Sequence, residues 1–314
     1  RGLVFELSPY SSNLFLGESN KEALTVLKKG VVAEKGFLLF TGGVGTGKTT
    51  LINVLKNAFE TPGYLCLISN PTLDIDDFFY YFAAQLGLLF DGNRPKFLCL
   101  FARLLEECAK GGKRVLLIID EAHALPTHLL EELRLLVNMA DEAKNVLSVF
   151  LVGQPELLSR LEEEQLQPLR ARIRVRYHLQ ELSAQETKQY VVFRLSRAGV
   201  RNKKLFSEES LNLIYLATGG NPRLINVLCD NALRSAYSRD QQVVGAATIR
   251  ESVKQLTIDG DDDSYRLPLS RHKFGRIVIW VMVILIVEMG VGIFAYYQGW
   301  LTSLVNWGRG LYPG

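Results

Sequence analysis

The run Thr41-Gly42-Gly43-Val44-Gly45-Thr46-Gly47-Lys48-Thr49-Thr50 contains the spacing G-x-x-x-x-G-K-T, a P-loop suited to phosphate. Gly42, Gly45 and Gly47 allow the backbone to curl so that its N–H groups face phosphate oxygens. A helix opening at Lys48 adds its positive N-terminal end. Lys48 is placed to reach the β- and γ-phosphates of a nucleotide, and the Thr49 hydroxyl to ligate Mg²⁺. Gly43, Val44, Thr46 and Thr50 complete the expected nucleotide-binding run. A second motif lies further along. Val115-Leu116-Leu117-Ile118-Ile119 runs into Asp120-Glu121-Ala122-His123. Asp120 is expected to hold the Mg²⁺ water shell, and Glu121 to orient and deprotonate an attacking water. His123 has two readings: it senses nucleotide state, or it caps the next helix.

Positioning these groups takes a sheet. Short apolar runs at Phe37–Thr41, Tyr64–Ile68, Val115–Asp120, Leu147–Gly153 and Arg174–Leu179 alternate with helical stretches at Lys48–Phe59, Asp76–Leu86, Phe97–Lys110, Thr127–Ala140 and Pro155–Leu161. Continuous apolar strands separated by helices predict a parallel α/β sheet covered on both faces. Beyond Leu179 the strands stop. Ser183–Ala198, Ser207–Ala217, Pro222–Ser238 and Thr248–Leu256 read as an all-helical unit. Ser183 with Glu186, and Thr248 with Glu251, have capping-box spacing, and Pro222 suits a first helical turn.

The chain has 314 residues, 48% hydrophobic and 22% charged, which excludes a disordered or collagen-like chain. A net charge of +3 is too mild to predict a nucleic-acid partner. Cys66, Cys99, Cys108 and Cys229 form no C-x-x-C pair and read as reduced core thiols. Near the C-terminus Ile277–Tyr297 carries one charge, Glu288, and is long enough to span a bilayer. Arg266, Arg271, Lys273 and Arg276 precede it, and only Arg309 follows. That asymmetry predicts a single-pass inner-membrane protein with its large N-terminal part in the cytoplasm. Glu288 within that span reads either as a carboxyl facing another helix or as a tolerated, protonated side chain. The expected divisions are a nucleotide-binding α/β domain at 1–181, a helical lid at 182–257, a linker at 258–276, the membrane span at 277–297 and a short extracytoplasmic tail at 298–314.

Further pieces make the resemblance specific. Phe5-x-x-Ser8-Pro9 with Leu14-Phe15-Leu16, Leu151-Val152-Gly153-Gln154-Pro155-Glu156-Leu157, and Gly220-Asn221-Pro222-Arg223-Leu224-Ile225-Asn226 stand in order around the two motifs. Together they resemble AAA+ ATPases of the general secretion pathway protein A type, relatives of origin-recognition and transposition ATPases. The resemblance implies that Gln154 contacts the γ-phosphate or the water, and that Arg223 approaches the phosphates from the lid. It also implies an arginine finger acting on a neighbouring subunit, with Arg172 the better match and Arg170 the second; a permanently charged guanidinium suits charge that grows in the transition state. The implied activity is ATP hydrolysis with Mg²⁺ that drives or switches an envelope export or secretion assembly. The implied partners are other copies of the chain in a ring or other oligomer, the membrane bilayer and a membrane protein of that envelope system. The alternative is a DNA-binding regulatory ATPase of the transposition or initiator kind, which the membrane segment and modest charge argue against.

Overall fold

The computed structural model describes residues 15–32, 36–58, 62–69, 73–142, 146–200, 202 and 204–258. The first described helix, α1 (Glu18–Val32), is one that no apolar run announces. Its buried face is Ala23, Leu27 and Val31, a four-residue spacing that puts them on one side of the helix. Strand β1 (Gly36–Gly42) follows, then the P-loop and α2 (Lys48–Asn57). Next come β2 (Gly63–Ile68), α3 (Ile75–Leu86), α4 (Arg94–Lys110) and β3 (Arg114–Ile119). A 3₁₀ turn at Ala122–Ala124 leads to α5 (Thr127–Glu142) and β4 (Leu147–Gly153). Two short helices, α6 (Glu156–Arg160) and α7 (Gln167–Arg170), precede β5 (Ile173–Leu179).

The five strands lie parallel in the order β2-β3-β4-β1-β5. Strands β1 and β4 sit inside the sheet, and every residue of β4 is buried, as a strand covered on both faces requires. One face packs Leu38, Phe40, Ile118 and Phe150 against α1 and α2. The other packs Leu39, Leu117, Ile119 and Leu151 against α3, α4 and α5. It includes a phenylalanine cluster in which Phe97 and Phe101 stack 5.8 Å apart and Phe79 meets Phe97 edge-on at 5.2 Å. This order brings the C-terminal ends of β1, β3 and β4 side by side, where ligands bind in open α/β sheets.

Four helices complete the described chain: α8 (Ala184–Arg197), α9 (Glu208–Thr218), α10 (Pro222–Ser238) and α11 (Ala246–Ile258). They share a core of Val191, Ile214, Ile225, Leu228 and Cys229. Ser183 and Glu186 form a reciprocal capping box on α8, and Pro222 opens α10 behind the N-cap Asn221. The second capping box is not formed. Helix α11 begins at Ala246, so Thr248 already lies inside it, and its hydroxyl donates to the Gln241 side chain at 2.9 Å. Glu251 is drawn instead to Arg239, because a guanidinium within reach attracts a carboxylate more strongly than a backbone amide does. Three of the cysteines are buried and unpaired, but Cys99 is exposed: it lies on the outward side of α4, opposite the buried Phe97 and Phe101.

The expected single-pass inner-membrane placement is corrected. Among the described residues no helix is long and apolar enough to cross a membrane. The expected linker, span and tail, with Glu288, lie outside the described residues, apart from Ile258, as does the N-terminal part of the resembling motif, Phe5 to Leu14.

Candidate functional site

Strand β1 ends at Gly42 and the chain turns at once into α2. Gly45 and Gly47 take φ of 77° and 101°, a left-handed backbone that favours glycine. Gly47 is the N-cap of α2, and no side chain caps that helix, so its first N–H groups face the cavity uncapped. The Lys48 side chain is buried and folds back so that Nζ donates to the carbonyls of Gly42 and Gly43, both at 2.9 Å. Burial pushes the Lys48 pKa down, opposed by the nearby carboxylates of Glu121, Asp120 and Glu156. A buried ammonium that donates to two neutral carbonyls is well suited to receive an anion.

Thr49 and Asp120 lie 71 residues apart, yet the Thr49 hydroxyl donates to Asp120 Oδ2 at 2.8 Å. Two hard oxygen donors at the mouth of a phosphate loop are the type of ligand Mg²⁺ takes. Asp120 Oδ1 accepts from the Glu121 backbone N–H at 2.9 Å. Glu121 itself adopts φ 54°, one of two non-glycine residues with positive φ among those described. This left-handed turn ends β3 and aims the Glu121 side chain into the same cavity, so the two neighbouring carboxylates converge although adjacent strand residues point apart. Gln154, at the end of β4, also lines the cavity, and its side-chain amide lies 3.0 Å from His123 Nε2.

The helical unit closes the cavity from above. Asn221 Nδ2 donates to the carbonyl of Val44 at 2.7 Å. Arg223 packs so closely on the loop that a Cβ on Gly45 would stand 2.6 Å from its own Cβ. The cleft has a volume of about 350 Å³, within the range of small-molecule sites. Val44, Thr46 and Thr50 line it with the P-loop glycines Gly45 and Gly47. Gly42 and Gly43 contribute the carbonyls that hold Lys48.

The far end has residues to which the sequence reading assigned no role. Phe15 meets Tyr190 edge-on at 5.6 Å, the Tyr190 hydroxyl donates to Asn226 Oδ1 at 2.9 Å, and Asn20 donates to the Phe15 carbonyl at 2.9 Å. Apolar rings with a few polar groups suit a flat heterocycle. Phe15 and Asn226 lie inside motifs already singled out; Tyr190 carries no local signal.

The structure keeps Arg170 and Arg172 away from this cavity. Arg172 immediately precedes β5, with its carbonyl 3.6 Å from a Cβ built on Gly36, at the end of the sheet where β1 begins. Gly42, at the P-loop end, pairs with Leu179, so a seven-residue strand separates the two, about 20 Å at ~3.3 Å per residue. Arg170 lies 3.8 Å from Glu162. Neither guanidinium is placed to serve this chain's own phosphate site.

Residues 32–161 match the family model described as AAA domain. General secretion pathway protein A of Aeromonas hydrophila is 39% identical over 278 residues, covering 88% of this chain and 50% of that protein. The chain therefore spans about half the length of the curated relative that it matches. Among solved structures, Cdc6p from Pyrobaculum aerophilum is similar with a TM-score of 0.62 at 19% identity, covering 80% of this chain and 70% of that one. The Aeropyrum pernix ORC2 protein, in its ADPNP–ADP complexes, has a TM-score of 0.58 at 18% identity, covering 80% and 71%. At these identities the likeness concerns the fold alone.

Proposed function

We propose that this chain, which carries an AAA domain and is similar over most of its length to general secretion pathway protein A, is an AAA+ P-loop ATPase that binds ATP with Mg²⁺ and hydrolyses it to drive or switch an export or secretion assembly. The observation that carries the ATPase chemistry is the meeting of two distant motifs: Thr49 on Asp120 at 2.8 Å beside a buried Lys48. The export role rests on the 39% identity to a protein named for a general secretion pathway.

In this reading Lys48 exchanges its two loop carbonyls for phosphate oxygens, which restores the charge that burial disfavours. The uncapped N–H groups of α2 and the loop hold the remaining phosphate oxygens. Thr49 and Asp120 hold Mg²⁺, whose role is to neutralise charge on the phosphate oxygens. Glu121 accepts the proton of the attacking water and Gln154 orients that water or the γ-phosphate. Arg223 contacts the phosphates from the lid, while Phe15, Tyr190 and Asn226 enclose the base. Copies of the chain associate so that Arg172, with Arg170 as the second choice, reaches the phosphate of a neighbouring copy.

Phosphate release and fluorescent-nucleotide binding test the chemistry. Lys48→Ala is expected to abolish binding, and Glu121→Gln to retain ATP without turnover. Wild-type hydrolysis by Glu121→Gln would remove Glu121 from the role of base. Secretion of an exported reporter should fall in cells carrying Lys48→Ala; unchanged secretion would remove the export role and leave the ATPase chemistry standing.

A further inference from the structure

His123 is the one polar side chain of the Asp120–His123 run that the hydrolysis scheme leaves unused, and its surroundings choose between its two expected roles. Its ring faces Glu121 and Gln154, not the start of α5. Nδ1 lies 3.4 Å from Glu121 Oε2, and Nε2 lies 3.0 Å from the Gln154 side-chain Nε2. The Gln154 backbone N–H also approaches Nδ1, from 3.5 Å, at the limit of hydrogen-bond range. Nδ1 cannot both donate to a carboxylate and accept from an amide. A carboxylate is the better acceptor, so we assign the ring proton to Nδ1, turned toward Glu121 across 3.4 Å. Nε2 is then a lone-pair acceptor, and it faces an amide N–H donor on Gln154.

The turn that holds the ring is itself anchored. Arg160 on α6 donates through Nη1 to the carbonyls of His123 and Leu125, the latter at 2.7 Å. A Cβ on Gly153 would stand 3.2 Å from the His123 backbone nitrogen. The end of β4 and the turn after β3 are thus clamped together, with the imidazole filling the space between their two functional side chains. Glu121 needs such support. Its backbone is in a left-handed conformation that disfavours a side chain, and its carboxylate is half-exposed.

We infer that His123 is a positioning residue for ATP hydrolysis: its ring ties the Glu121 carboxylate to Gln154, so that the base and the γ-phosphate-facing amide are aligned as one unit. The inference rests on the hydrolysis reading above and adds a specific coupling to it. Misplacing a reacting group by about 1 Å can cost ~10²-fold in rate.

The test is a double-mutant cycle in the full chain, His123→Ala, Gln154→Ala and the pair, read by steady-state ATPase, nucleotide affinity and melting temperature. Each single variant should lower kcat by at least about tenfold, with KM and melting temperature little changed. The double variant should be no slower than the slower single one, because groups that act as a unit are lost together. Three results would overturn the inference: kcat of His123→Ala within about twofold of wild type, a loss that appears in KM instead, or single losses that multiply in the double variant. Glu121→Gln is the control. Turnover that this variant leaves intact would instead overturn the reading of Glu121 as base, and the coupling with it.

Discussion

Asn221 links the lid to the P-loop with one half of its amide and caps its own helix with the other. Oδ1 accepts from the N–H groups of Arg223 at 3.0 Å and Leu224 at 3.3 Å, while Nδ2 donates to Val44 O at 2.7 Å. Asn221→Ser separates the two functions. Serine caps a helix about as well as asparagine, but it is too short to reach Val44 and α10 should keep its stability. The lost contact is a neutral hydrogen bond at an exposed position, worth about 1 kcal/mol net. No orphaned buried group is left behind, since Val44 is 49% exposed. A nucleotide held between loop and lid binds only the closed arrangement, so loosening it lowers apparent affinity by the fraction of closed molecules lost. About 1 kcal/mol corresponds to at most roughly fivefold weaker binding, reached when the open arrangement predominates without nucleotide. Asn221→Ala adds loss of the cap, about 1 kcal/mol more, which should appear as a melting temperature lower by ~2–4 °C. Titration of a fluorescent ATP analogue and thermal unfolding of both variants provide the comparison. If Asn221→Ser binds like wild type while Asn221→Ala binds weakly, the Val44 contact contributes nothing and the argument for a lid latch fails.

Two further outcomes follow from geometry. Arg172 sits at the far end of the sheet from its own P-loop, so mixing Arg172→Ala with Lys48→Ala subunits should restore part of the lost hydrolysis; no restoration, in oligomers shown to form, would exclude a finger acting between copies. Glu186 joins the lid to the start of α1, accepting from Ser183 Oγ at 2.9 Å and from the Ser19 backbone N–H at 3.4 Å. Burial opposes its charge, but hydrogen bonds from Ser183 and from the Ser19 and Glu18 backbones outweigh it and hold the carboxyl below its ordinary range. A depressed folded-state pKa contributes stability above the unfolded value of about 4.3, and that stability is lost as pH falls through the folded value. The melting-temperature gap between wild type and Glu186→Gln should therefore be full at neutral pH and narrow below pH ~4; a gap that stays constant would show that the charge on Glu186 contributes nothing.

Whatever depends on neighbours along the chain is legible in the sequence alone. The apolar run Leu147–Gly153 becomes β4 over the same residues, because four to eight continuous apolar residues suit a strand buried on both faces. The Ser183–Glu186 box forms because both partners lie within one helical turn. The P-loop is readable for the same reason, since its glycines and Lys48 act on a single strand–turn–helix. Local spacing fails where a distant group competes. Thr248 and Glu251 have capping spacing, but Gln241 and Arg239 take their side chains. Helix α1 escapes a search for apolar runs because its apolar face is three well-spaced residues, and the sheet supplies the rest of its packing. The meetings that make the site are decided by the fold alone: Thr49 with Asp120, Asn221 with Val44, Phe15 with Tyr190, and His123 with Gln154. Each joins residues separated by 31 or more positions. Sequence sets which groups can donate, accept or pack, but only the parallel strand order and the lid seated on the loop bring those groups within the few ångströms at which hydrogen bonds act.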